Sequence, residues 1–134
     1  MARFTQFAAQ VLFRVVYKIY YRLEVRGREN LAGVDKPMLI VSNHNSLNDA
    51  WVVGSSLPLW KYLPIRYMAG TKFFFPLDIA YKIGIIPFIY WMFGTLSLPQ
   101  DGTFEEKIAP AVGALKQGDA VVIFPEGKRV FEDT

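Results

Sequence analysis

Apolar side chains recur along the first twenty residues at helical spacing: Phe4, Phe7, Ala8, Val11, Leu12, Val15, Val16 and Ile19. This is the stripe of a 3.6-residue period, and it predicts a helix over residues 4–22. Arg14, Lys18 and Arg22 fall at i, i+4 and i+8 and give the helix a basic edge. Two readings of the apolar stripe stand side by side. It inserts among lipid headgroups with the cations at phosphate level, or it packs into a core with a solvated basic edge. In LEVRGREN, from residue 23, a short strand-like piece ends at Gly27, and Gly33 and Pro37 mark a turn.

Residues 38–42, MLIVS, form an unbroken apolar run. Such a run reads as a strand covered on both faces, as in a parallel sheet. A helix is expected to start at about residue 50, and a second strand at 65–69. Residues 73–94 are the most apolar stretch, and residues 83–98 carry no charge. Gly84, Pro87 and Gly94 interrupt them, so a buried helix with a membrane-contacting loop is expected rather than a spanning helix. A short strand at 95–99, an amphipathic helix over 104–117 closed by Gly118, and a buried strand at 120–124 complete the pattern.

Strands alternating with helices predict an α/β domain over residues 24–134. Its mostly parallel sheet is flanked by helices and preceded by a membrane-associating amphipathic helix over residues 1–23. Sites in such sheets gather beyond the carboxyl ends of the strands. Two polar clusters stand there, NHNSLND after MLIVS and PEGKR after VVIF.

Composition sharpens this picture. Of the 134 residues, 52% are hydrophobic and only 20% charged, so apolar surface is in excess for a soluble domain of this size. Cysteine is absent, which removes disulfides, thiolate metal sites and a cysteine nucleophile and fits a reducing compartment. The net charge of +3 is too small to argue for nucleic acid. Its placement matters more: residues 1–30 hold six basic and two acidic side chains, a local surplus suited to anionic headgroups.

His44 is the single histidine, and Asp49 follows it at the start of a helix. A strand–turn–helix can fold the carboxylate onto the imidazole, fixing its tautomer while His44 takes a proton from an alcohol. The spacing Ser46 to Asp49 also fits a capping box, in which Asp49 only caps the helix. In the second cluster, Lys128 and Arg129 can hold a phosphate and Glu126 a hydroxyl, or the segment is a solvated turn. No metal-ligand spacing, P-loop or G-x-S-x-G elbow occurs.

Asn43-His44-Asn45-Ser46-Leu47-Asn48-Asp49 resembles the NH-x4-D block of the phospholipid/glycerol acyltransferase family, its HX4D motif. Phe124-Pro125-Glu126-Gly127-Lys128-Arg129 resembles the family's FPEG block, and Gly27-Arg28-Glu29-Asn30-Leu31 its lead-in to the first strand. The resemblance runs over about residues 24–130. It implies transfer of a fatty acyl group from acyl-CoA or acyl carrier protein to a lysophospholipid or glycerol-phosphate hydroxyl, lysophosphatidate foremost. It implies no metal or prosthetic group. His44 is then the general base and Asp49 its orienter. Glu126, Gly127, Lys128 and Arg129 bind the acceptor, with Arg129 at its phosphate.

Two departures stand out. Gln100 occupies the place of an arginine expected in the acceptor site, and an amide makes no charge-assisted phosphate bond. The chain also ends soon after Arg129, where the family continues, so the sheet is expected to lack a strand and to offer an edge for self-association. The expectation is an acyltransferase core on the cytoplasmic face of a membrane, shortened at its C-terminus. A non-catalytic lipid-binding relative and a small membrane-embedded structural protein are the alternatives. Retention of His44 and Asp49 argues against the first, and Pro87, Gly84, Arg14 and Lys18 against the second.

Overall fold

The computed structural model describes residues 2–46, 48–70, 75–99 and 101–126. Helix α1 (Ala2–Tyr20) leads through a 3-10 turn (Arg28–Leu31) to β1 (Met38–Val41) and α2 (Asp49–Ser56). Strand β2 (Ile65–Gly70) is followed by α3 (Phe75–Lys82), α4 (Ile85–Phe93) and β3 (Leu96–Leu98). Helix α5 (Phe104–Lys116) and β4 (Ala120–Ile123) complete the order. The four strands form one sheet in the order β1-β4-β2-β3, parallel throughout. This is the α/β architecture that the alternating pattern predicts.

Strand β4 lies inside the sheet, with Ala120 opposite Met38 on one side and Ile65 on the other. Successive side chains leave a strand on opposite faces, so β4 feeds two cores. Ala120 and Val122 join Leu57, Tyr62, Leu63, Ile65 and Tyr67 on the face covered by α1 and α2. Val121 joins Ala111 and Ala114 of α5 on the other. Burying each large aliphatic side chain stabilises the fold by roughly 1.5–3 kcal/mol, and β4 gains this on both faces, through Val121 on one and Val122 on the other.

Strand β1 differs from the expectation. Met38 and Ile40 pack on the first core, but Leu39 and Val41 are 49% and 58% exposed. The strand is at the edge, and α5 packs over β2, β3 and β4. An apolar run alone cannot distinguish a strand covered on both faces from one covered on one.

Residues 23–27 also depart from prediction. They form a loop, not a strand. Leu23 donates its N–H to the Tyr17 carbonyl at 3.1 Å, and the chain then turns at Gly27 with φ +80°.

The apolar 73–94 region divides into α3 and α4 at Gly84, whose φ of +87° suits glycine. Pro87 falls in the first turn of α4, where a missing N–H costs nothing. Contrary to the expected buried helix, none of the residues of α4 is buried, and Ile85, Phe88 and Trp91 stand exposed. The helix attaches mainly through its last turn, where Phe93 meets Trp51 edge-on at 5.0 Å between ring centres.

Helix α1 is inverted relative to a core helix. Its inward face carries Gln6, Gln10 and Tyr17, whereas Phe4, Leu12, Val15 and Ile19 of the apolar stripe point outward. Gln6, 3% exposed, clasps the peptide of Ile65: its Nε2 donates to the Ile65 carbonyl at 2.6 Å and its Oε1 accepts the Ile65 N–H at 2.7 Å. The same Nε2 reaches the Phe93 carbonyl, and Thr5 Oγ1 donates to the Met92 carbonyl at 2.7 Å. Phe13 stacks on Trp51 at 4.8 Å, so an aromatic seam joins α1, α2 and α4. Among the described residues, no helix is long and apolar enough to cross a membrane.

Candidate functional site

The neighbouring parallel strands β1 and β4 deliver their carboxyl ends to one place. Their ladder continues one step further, with the Ser42 N–H donating to the Ile123 carbonyl at 3.2 Å. Beyond that point the chain after β1 carries His44 and the chain after β4 carries Phe124 and Glu126. The imidazole stacks on the Phe124 ring at 4.5 Å between centres. The His44 backbone N–H donates to Glu126 Oε2 at 2.7 Å. Two segments about eighty residues apart in sequence are thereby locked together.

His44 Nδ1 lies 3.0 Å from Asp49 Oδ2. A carboxylate is an acceptor, so Nδ1 carries the proton and the lone pair resides on Nε2. The same Oδ2 accepts the N–H groups of Asn45 and Ser46, each at 2.7 Å. Burial raises the Asp49 pKa, but the donors from Ser46, Asn45 and His44 outweigh it and hold the carboxyl below its ordinary value. The side chains of His44 and Asp49 are 22% and 21% exposed, so the pair is fixed yet reachable from outside.

Of the two roles that spacing left open for Asp49, the contact with the histidine is formed and the capping box is not. Asp49 accepts the Ser46 N–H, but the N-cap of α2 is Asn48, without a side-chain cap bond, and Ser46 Oγ accepts from the Asn48 N–H at 3.3 Å. As the first residue of the helix, Asp49 ties down the loop before it rather than the helix end.

A cleft of about 260 Å³ opens beside Asp49, lined by Tyr17, Tyr21, Leu23, Ser46 and Val52 among others. Its wall is mostly apolar, and α1 and the loop after it supply one side. Sequence reasoning named neither Tyr17 nor Tyr21, and it gave Phe124 no role of its own. The aromatic leading residue of FPEG was a usable signal for the stacked ring; the tyrosines, within a helix of many aromatics, offered none.

Glu126 is placed at the site and spends an oxygen on holding His44. Gln100, Gly127, Lys128 and Arg129 lie outside the described residues. Among the described residues, no three His, Asp or Glu side chains stand together as metal ligands.

A family model described as Acyltransferase matches residues 22–133, most of the chain and both segments of the site. The chain belongs to the Acyltransferase family. Its curated relatives include a chloroplastic 1-acyl-sn-glycerol-3-phosphate acyltransferase of Arabidopsis thaliana, 28% identical over 95% of this chain. Another is a chloroplastic 1-acyl-sn-glycerol-3-phosphate acyltransferase of Brassica napus, 26% identical over 95% of the chain. The alignments cover 33% and 34% of those proteins, so this acyltransferase chain spans about a third of their length. No solved structure matches the chain.

Proposed function

We propose that the chain transfers a fatty acyl group from a thioester, acyl-CoA or acyl carrier protein, to a hydroxyl of a glycerol-phosphate-type acceptor at a membrane surface. Lysophosphatidate is the acceptor favoured by the likeness to the two plant enzymes. The observation that carries this reading is the His44 Nδ1 to Asp49 Oδ2 bond of 3.0 Å.

In the proposed reaction His44 Nε2 takes the proton of the acceptor hydroxyl as its oxygen attacks the thioester carbonyl. The imidazolium so formed is stabilised by Asp49, already ionised and held by two backbone N–H groups. Collapse of the tetrahedral intermediate forms the ester and breaks the C–S bond. The departing thiolate takes the proton back from Nε2. The hydrogen bond from the His44 amide to Glu126 and the stack on Phe124 keep the ring from turning away. The apolar cleft beside Asp49 suits the first methylenes of an acyl chain.

A membrane setting is supported by the outward apolar side chains of α1 and α4, among them Leu12, Val15, Ile19, Phe88 and Trp91, which stand exposed. Exposed apolar surface of this extent marks a contact surface.

The test is acyl transfer by the purified chain with labelled acyl-CoA or acyl carrier protein and lysophosphatidate in vesicles. His44→Ala is expected to lower the rate by about 10²–10⁴-fold, the usual contribution of a general base, with vesicle binding unchanged. A folded His44→Ala chain as active as the parent would reject the mechanism.

A further inference from the structure

The cations of the N-terminal segment do not form the simple edge that the helical spacing suggests. Arg14 turns inward: its Nε donates to the Ser55 carbonyl at 2.8 Å, and an Nη reaches the Leu57 carbonyl. Arg28, from the 3-10 turn, donates its Nε to the Ser56 carbonyl at 3.0 Å. Lys18 lies one turn after Arg14 on the same face of α1. These three cations line an open cleft of about 230 Å³ together with Leu23, Val25 and Ser55. Arg22, the last cation of the predicted edge, does not line it.

Two of the cleft's cations cap the carboxyl end of α2, a role that explains part of their placement. It does not explain their number. Arg14 uses two of its five N–H donors on those carbonyls and Arg28 one. Among the described residues none of the three is in a salt bridge; nearby Glu24 is engaged with Arg26 at 2.7 Å. Burial and the neighbouring charge of Arg28 both push the Arg14 pKa down, with no carboxylate countering them. Like charges gathered around a concavity favour an anion within it.

We propose that Arg14, Lys18 and Arg28 form a binding site for the phosphate of an anionic lipid headgroup, separate from the His44 site. The ligand class follows from the surroundings. The cleft has an apolar flank in Leu23 and Val25, and α1, which contributes two of the cations, carries the exposed Val15 and Ile19 between and beside them. Apolar groups inserted below cations at headgroup level are the arrangement of an interfacial helix. Ser55 and Asp49 stand near opposite ends of α2, about 9 Å apart along its axis at 1.5 Å rise per residue. Leu23 borders both clefts. A headgroup held here anchors the chain with the catalytic cleft at the lipid surface. The site does not depend on the acyl-transfer reading, and its test does not use activity.

The test is sedimentation of the full chain with phosphatidylcholine vesicles, with and without phosphatidic acid. Lys18→Gln/Arg28→Gln is compared with Arg3→Gln/Arg22→Gln, which removes equal charge from the same segment outside the cleft. A diffuse surface potential gives about 5-fold per cation wherever it sits, hence equal losses for both variants. The site predicts at least about a further tenfold loss for the cleft variant on anionic vesicles, and little difference on neutral ones. Equal losses would overturn it. A second arm titrates the parent with glycerol 3-phosphate and inorganic phosphate. Saturable binding of these that requires Lys18 and Arg28, with no vesicle difference, would assign the cleft to a soluble phosphate and overturn the lipid source. Lys18→Gln alone, an exposed change, repeats the comparison if the double variant fails to fold.

Discussion

At the scale of single residues the site turns on Asp49. One of its oxygens receives an imidazole N–H and two backbone N–H groups. Its folded pKa is lowered, so the stability it contributes is present above the ordinary carboxylate range and is lost as pH falls through the depressed value. Urea midpoints of the parent and Asp49→Asn are expected to differ at neutral pH and to converge below about pH 4. A difference that persists at the lowest pH would show that the contribution is not carried by ionisation. Gly54 is a second decisive residue: a Cβ there would run into the Tyr67 hydroxyl. Alanine normally improves a helix by about 1 kcal/mol over glycine, but here overpacking of about 1–3 kcal/mol wins. Gly54→Ala should destabilise, and Tyr67→Phe should recover part of the loss in a double-mutant cycle on urea unfolding. The pairing of Asp49 with His44 was legible in sequence; that of Gly54 with Tyr67 was not, because 54 and 67 belong to elements whose packing spacing does not reveal.

At the scale of elements the sequence was a good guide to where helices and strands lie and a poor one to which face they bury. The apolar stripe of α1 was plain, yet the helix is fastened by its polar face through Gln6, Thr5 and Arg14. Hydrophobic periodicity detects a stripe but not what it faces: Phe7 packs on the core beside the polar clasps, while Phe4, Leu12, Val15 and Ile19 of the same stripe stand outward. Gln6→Leu leaves the Ile65 peptide and the Phe93 carbonyl without their partner in a buried place. It is expected to cost about 2–4 kcal/mol, read as a lowered urea midpoint. A change within experimental error would mean that α1 is fastened elsewhere. Strand β1 failed in the opposite sense: its unbroken apolar run hid an edge position with Leu39 and Val41 uncovered. The loop at 23–27 has alternating apolar residues but pairs with no strand among the described residues.

At the scale of the whole molecule, function depends on strand order. Placing β4 next to β1 joins the motif around His44 to the motif around Glu126. Each motif was visible in the sequence after its strand, and their resemblance to family blocks implied that they cooperate. The sequence did not show the means: a carboxylate of one segment holds the backbone of the other, and an aromatic ring of one supports the imidazole of the other. The acceptor-binding expectations for Gln100, Gly127, Lys128 and Arg129 fall outside the described residues, so the site described is the part around His44, Asp49 and Glu126.

The presence of a single histidine opens the most direct measurement. Nitrogen-15 NMR of the chain with labelled histidine, at a pH where the ring is neutral, reports which nitrogen bears the proton. A protonated Nδ1 and a lone-pair Nε2 are expected in the parent, with loss of that preference in Asp49→Asn. Protonated Nε2 in the folded parent, or a parent spectrum unchanged in Asp49→Asn, would contradict it: Asp49 would not be fixing the base, and His44 would lack the lone pair where the acceptor's proton must go.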